Sequence, residues 1–131
     1  MSAVRERPVA PHLTIWRWGP HMVASIIHRI TGAGLSVFGL AVLTWWLMAV
    51  AGGPDSYETF TKHATAWYGL VVLVGLSWAF LQHVFTGIRH LLMDTGMGFE
   101  LAANKAGALA AIAAAILATA LLWAWLLGAF E

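Results

Sequence analysis

No cysteine occurs in this chain, so it can form no disulfide, no thiolate metal site and no ligand set for an iron–sulfur cluster. Charge is nearly as scarce. Asp, Glu, Lys and Arg make up 10% of the 131 residues, Lys plus Arg number 7 against 6 for Asp plus Glu, and the formal net charge is +1. So little charge leaves no basic surface for nucleic acid, and the length leaves no room for a soluble catalytic domain or a nucleotide loop. Redox work would need a borrowed cofactor. What the chain does hold is apolar: 60% of it is hydrophobic and its mean hydropathy is +0.77, more than an ordinary soluble domain shows.

Three uncharged runs, Ile30 to Pro54, His63 to Ile88 and Ala106 to Phe130, each exceed the roughly 20 residues a helix needs to span hydrocarbon. The fold expected is an all-α membrane protein with three transmembrane helices in a single membrane-anchor domain covering 1–131. Pro8, Pro11 and Pro20 disfavour a long helix in the first 20 residues. They leave an extended arm whose Trp16 and Trp18 suit the headgroup region. Helix 1 is expected over about 21–51, ended by Gly52-Gly53-Pro54-Asp55, with Tyr57, Glu58 and Lys62 in a short loop. Helix 2 is expected over about 63–93, the turn-rich Asp94-Thr95-Gly96-Met97-Gly98 follows, and helix 3 runs over about 104–128. The stretch ending Ala49-Val50-Ala51 is longer than the roughly 7–15 residues of a signal-peptide core, so cleavage is not expected. Arg5, Arg7, Arg17 and Arg29 precede or open helix 1, Arg89 and Lys105 flank the second loop, and Lys62 stands alone in the first. That asymmetry predicts a cytoplasmic N-terminus.

The polar residues within these spans gather at one end. Ser25, His28 and Arg29 are spaced i, i+3 and i+4, so hydroxyl, imidazole and guanidinium share a helix face. They can bind a carbonyl group or carboxylates, or Arg29 can simply snorkel to lipid phosphate. On helix 2, His83, Gly87, His90 and Asp94 form one stripe. Gly87 leaves the backbone bare between the two imidazoles, so a flat cofactor could lie there. His83 is some 10 Å deeper than His90 by the helical rise, and an imidazole at that depth needs a partner. Haem iron and a Ser or Thr of a neighbouring helix both satisfy it. His90, nearer the surface, suits a propionate or a proton relay, and His12, His21 and His63 read as interfacial. One deep histidine supplies one axial ligand, so a second ligand would come from another chain. Gly107, Ala111, Ala114, Ala115 and Ala118 give helix 3 a small-residue face for close packing.

Three segments taken together, Arg7-Pro-Val-Ala-Pro-His-Leu13, Ser25-Ile-Ile-His-Arg-Ile-Thr-Gly32 and His83-Val-Phe-Thr-Gly-Ile-Arg-His-Leu-Leu-Met-Asp94, resemble the cytochrome b subunit of succinate dehydrogenase, a membrane anchor of respiratory complex II. The resemblance covers nearly the whole chain. It implies a multi-pass protein of the bacterial inner membrane that completes a helical bundle with a second small membrane anchor subunit. It further implies that the pair binds one haem b, forms a ubiquinone site near the cytoplasmic face, and holds an iron–sulfur subunit and a flavoprotein subunit at the membrane. By motif position His83 is the axial ligand of the haem iron, with the partner anchor giving the other. His28, Arg29 and His90 are then the haem-binding neighbours, and Ser25, Arg29, Trp18 and Ile26 line the quinone site. Such an anchor is not catalytic alone. It contributes to quinone reduction, taking electrons from the iron–sulfur partner. A fumarate reductase anchor and a haem-free structural anchor are the alternatives.

Overall fold

The computed structural model describes residues 17–128. The motif Arg7–Leu13, with His12 and Trp16, and most of the expected arm lie outside them. The described elements are all helical: α1 (Pro20–Gly34), a π-helical turn (Leu35–Gly39), α2 (Leu40–Ala51), α3 (Pro54–Thr65), α4 (Trp67–Asp94) and α5 (Leu101–Leu126). Three rods are long and apolar enough to cross a membrane: Pro20–Ala51, in which α1, the π turn and α2 run on without a break, then α4, then α5.

Local chemistry sets the boundaries. Gly19 is extended and Pro20 occupies the first turn of α1, where its missing N–H would have had no helical partner. Within the first rod, the hydroxyl of Ser36 donates to the carbonyl of Gly32 at 2.9 Å. Such back-bonding competes with the regular ladder and bends helices, and it lies where the backbone widens into the π turn. Gly53, at φ +88, supplies the left-handed conformation that ends the first rod, and Pro54 opens α3 immediately after it.

The segment after Pro54 corrects the expectation of a loop with helix 2 starting near residue 63. Residues 54–65 form a helix of their own, with Asp55 in its first turn and Lys62 and His63 in its last, the charge order that the helix dipole favours. Ala66 is extended (φ −65, ψ 154) and breaks the chain between α3 and α4. A Cβ on Gly69 would collide with the carbonyl oxygen of His63, so glycine is what lets α4 start against the end of α3. His63 therefore belongs to α3, where its Nδ1 lies 2.6 Å from the Tyr68 hydroxyl. The third helix likewise begins at Leu101, earlier than expected, and ends at Leu126.

α4 packs against both α5 and α1, and α1 touches α5. The buried residues are small or polar: Ala24, Thr31, Ala49, Gln82, Thr86, Ala108, Ala111, Ala115 and Thr119, while Val37, Phe38, Met48, Val71 and Trp125 face outward. This inverts a soluble core. In lipid, burying leucine against leucine gains nothing over leaving it in acyl chains, so helices associate through close backbone approach and buried hydrogen bonds. The helix 3 face anticipated from Gly107, Ala111 and Ala115 is the one used, with Ala108 and Thr119 on it and Ala114 and Ala118 half-buried beside it.

Candidate functional site

The chain runs out along the first rod, back along α4 and out again along α5, so the starts of α1 and α5 and the end of α4 share one side of the bundle. Arg89 near the end of α4 donates through Nη2 to Asn104 Oδ1 at 2.5 Å, which ties α4 to the first turn of α5. The guanidinium is thus engaged within this chain.

At the same end α1 and α4 bring three imidazoles together. His28 of α1 stacks on His83 of α4, with ring centroids 3.9 Å apart and planes at 8°, and meets His90 edge-on at 5.0 Å and 62°. Gly87 lies one turn from each of the α4 histidines and faces His28: an added Cβ would sit 3.6 Å from the His28 Cε1, an ordinary contact. The α1 imidazole is thus the neighbour of the strip over Gly87 in this structure. At Gly32 the approach is tighter, since a Cβ there would come within 2.9 Å of the His83 Cε1 and the ring would have to shift.

His83 is held at Nδ1, which lies 3.1 Å from the backbone carbonyl of His28 and 3.3 Å from the Thr31 hydroxyl. A carbonyl only accepts, so Nδ1 carries the proton and Nε2 bears the lone pair, the tautomer that can ligate a metal. The two partners foreseen for a deep histidine are therefore compatible: one nitrogen is satisfied by the neighbouring helix and the other is left for a ligand. His83 also borders an open groove of about 540 Å³ between the first rod and α4, with Leu35, Gly39 and Leu43 on one side and Phe80 and Val84 on the other. Among the described residues no three His, Asp or Glu side chains converge to hold a bare metal ion.

The remaining candidates stand apart from this cluster. Arg29 is exposed, Ser25 and Ile26 are half-buried, and Trp18, just ahead of α1, is 64% exposed. At 3.6 residues per turn, Ser25 and Arg29 are about 40° apart around the helix, one face that turns away from the contact His28 makes with α4. These residues share the imidazoles' end of the bundle but none of their ring contacts.

Four residues at the centre of the bundle had no role in the sequence reading. Thr31 and Gly32 close the Ser25–Gly32 motif and position His83. Gln82 and Thr86 are fully buried and joined by a 2.7 Å bond from Gln82 Nε2 to Thr86 Oγ1. Their signal was present: an amide deep in an uncharged run, with a hydroxyl one turn on, is costly in lipid unless paired inside the protein.

Over residues 3–122 the chain matches the family described as succinate dehydrogenase/fumarate reductase transmembrane subunit. It is 38% identical over 96 residues to the succinate dehydrogenase cytochrome b556 subunit of Paracoccus denitrificans, covering 73% of each chain. It is 34% identical over 119 residues to the cytochrome b556 subunit of Rickettsia felis, covering 90% of this chain and 91% of that one. Against the human mitochondrial cytochrome b560 subunit the identity is 34% over 102 residues, 73% of this chain and 57% of that protein. With three membrane-length helices around a small-residue core, this multi-pass inner-membrane protein belongs to the family of succinate dehydrogenase cytochrome b membrane subunits.

Proposed function

We propose that the chain is the haem b- and ubiquinone-binding anchor of a succinate:quinone oxidoreductase, with the shared end of α1 and α4 on the cytoplasmic side. The observation that carries the reading is His83: its Nδ1 is anchored to α1, which leaves the Nε2 lone pair on a residue that borders an open apolar groove.

The residues present fit a haem. Leu35, Leu43, Phe80 and Val84 offer apolar walls, and Gly39 keeps one side of the groove shallow. His83 would be one axial ligand, and a side chain of the second anchor would be the other. His28, His90 and Arg29, from the same end of the bundle, would offer donors to the haem carboxylates. When bound, the haem supplies a reversible one-electron carrier.

Quinone reduction takes two electrons and two protons, and negative charge grows on the quinone oxygens as electrons arrive. Arg29 and Ser25 are donors on one face of α1, and a guanidinium in a water-poor site stabilises such charge strongly. Ile26 lies beside that face on α1, and Ile26 and the exposed Trp18 ahead of the helix suit the ring and tail of an apolar quinone. Arg29 is exposed, so its site is completed by other subunits: the second anchor and the iron–sulfur subunit. With no cysteine of its own, the chain receives electrons from that iron–sulfur partner, which a flavoprotein subunit feeds from succinate.

The test is an absorbance spectrum of the detergent-purified complex before and after dithionite, with quinone reductase activity measured alongside. His83→Ala should abolish or alter the low-spin b-type bands. Arg29→Ala should lower kcat/KM for a short-chain ubiquinone by about 10²-fold, the usual loss for one such donor. Unchanged bands in the first variant would refute the ligand assignment, and unchanged kinetics in the second the quinone assignment.

A further inference from the structure

The geometry points to Thr31 as a positioning residue that sets the electron-donating strength of His83 toward the haem iron. This inference rests on His83 being the ligand.

Thr31 is 4% exposed, and its hydroxyl proton has partners on its own helix, the carbonyls of Ile27 at 2.8 Å and His28 at 3.0 Å. That use of the proton leaves the oxygen lone pairs free to accept. The His83 Nδ1–H, 3.3 Å away, already points toward the His28 carbonyl at 3.1 Å, so the imidazole proton is shared between a carbonyl and a hydroxyl. Gly32 allows the ring to come this near, because any Cβ there would meet it. The last two residues of the motif on α1 thereby act on a side chain of α4 that is 52 positions from Thr31 in sequence.

The chemical consequence has a sign. Acceptors at Nδ1–H draw the proton away from the ring and raise the basicity of Nε2, as the outer partners of metal-bound histidines do. A more basic axial nitrogen stabilises ferric over ferrous haem and lowers the midpoint potential. Removing the hydroxyl oxygen removes one of two acceptors, while the His28 carbonyl still fixes the tautomer. Thr31→Val should therefore leave haem content and low-spin ligation intact and raise the potential. Thr31→Ser keeps the oxygen and should restore the original value. The expected size is up to about tenfold in the ferric-to-ferrous equilibrium, which is 59 mV for one electron.

The experiment is a redox titration of the haem bands in the purified complex carrying Thr31→Val, Thr31→Ser and, separately, His83→Ala. An upward shift in the valine variant that serine reverses supports the proposal. A valine variant that titrates at the native potential overturns it while leaving His83 as ligand. If His83→Ala retains native bands, the ligand reading itself fails, and the two failures are thereby distinguished. Should the valine complex not assemble, Thr31→Ala removes the same oxygen without the added bulk, and its potential must move upward or the proposal is refuted.

Discussion

Gly32→Ala sets helix propensity against packing, and the structure says which prevails. Alanine is favoured over glycine inside a helix by about 1 kcal/mol, so α1 alone would gain from the change. The new Cβ, however, would stand 2.9 Å from His83 Cε1, against an ordinary contact that begins at 3.4 Å. A retreat of the ring by the difference would stretch the 3.1 Å contact from Nδ1 to the His28 carbonyl to about 3.6 Å, where it is no longer a hydrogen bond. Overpacking of this kind costs about 1–3 kcal/mol and the lost bond about 0.5–1.5 kcal/mol. The net expectation is destabilisation by about 1–3 kcal/mol, together with weaker haem retention.

Gly34→Ala is the control, since a Cβ there has nothing within 4 Å and keeps the propensity gain. The assay is denaturant unfolding of the purified complex in mixed micelles, followed by tryptophan near-UV dichroism, with haem content per complex determined on the same preparations. If Gly32→Ala is as stable as Gly34→Ala and retains full haem, the close approach of α1 and α4 at His83 is refuted.

Two further substitutions address the interior. Gln82→Met keeps the shape of a fully buried side chain, forfeits the bond to Thr86 and removes the Gln82 Oε1, an acceptor with no partner among the described residues; an orphan acceptor costs about 1–3 kcal/mol and a membrane hydrogen bond averages about 0.6 kcal/mol. The variant should unfold at equal or higher denaturant concentration, and a loss of more than about 1 kcal/mol, typical of a broken buried hydrogen bond, would contradict this. Ala115→Leu inserts bulk where α5 is fully buried and should destabilise the complex by about 1–3 kcal/mol, whereas Leu117→Ala, on the exposed face of the same helix, should leave the unfolding midpoint nearly unchanged.

What was readable in the sequence follows from which forces act at short range. Three spans could be seen because hydropathy over a membrane-length window is a one-dimensional property, and the placement of the α1 and α4 polar residues at one end followed from hairpin topology, whereas the stacking of His28 on His83 did not. The α3 helix escaped notice because the uncharged run from His63 onward does not pause at Ala66. The break there comes from α4 being seated against the His63 carbonyl through Gly69, a tertiary contact with no periodic signature. The neighbour of Gly87 was not legible for a related reason. Only the packing of α1 reveals that the neighbour of Gly87 is an imidazole.

The distribution of polar groups also decides what this chain can do alone. Its buried hydrogen bonds, Gln82 Nε2 to Thr86 and His83 to the His28–Thr31 turn, are made within its own helices, whereas the buried Gln82 Oε1, His28 Nδ1 and Trp123 Nε1 have no partner among the described residues. Its reactive candidates are arranged oppositely: Arg29 is exposed and His83 borders a groove open on one side. A guanidinium facing hydrocarbon is expensive, so that face must be covered by protein, water or a polar ligand in the membrane. The chain thus packs its own three helices while its candidate site stays open, which is the division of labour expected of one anchor in a multi-subunit enzyme. Reconstituted alone in lipid, it should keep its helical content and Gln82–Thr86 protection from hydrogen exchange while showing no quinone reduction; loss of that protection without the other subunits would place the scaffold's stability in the partners.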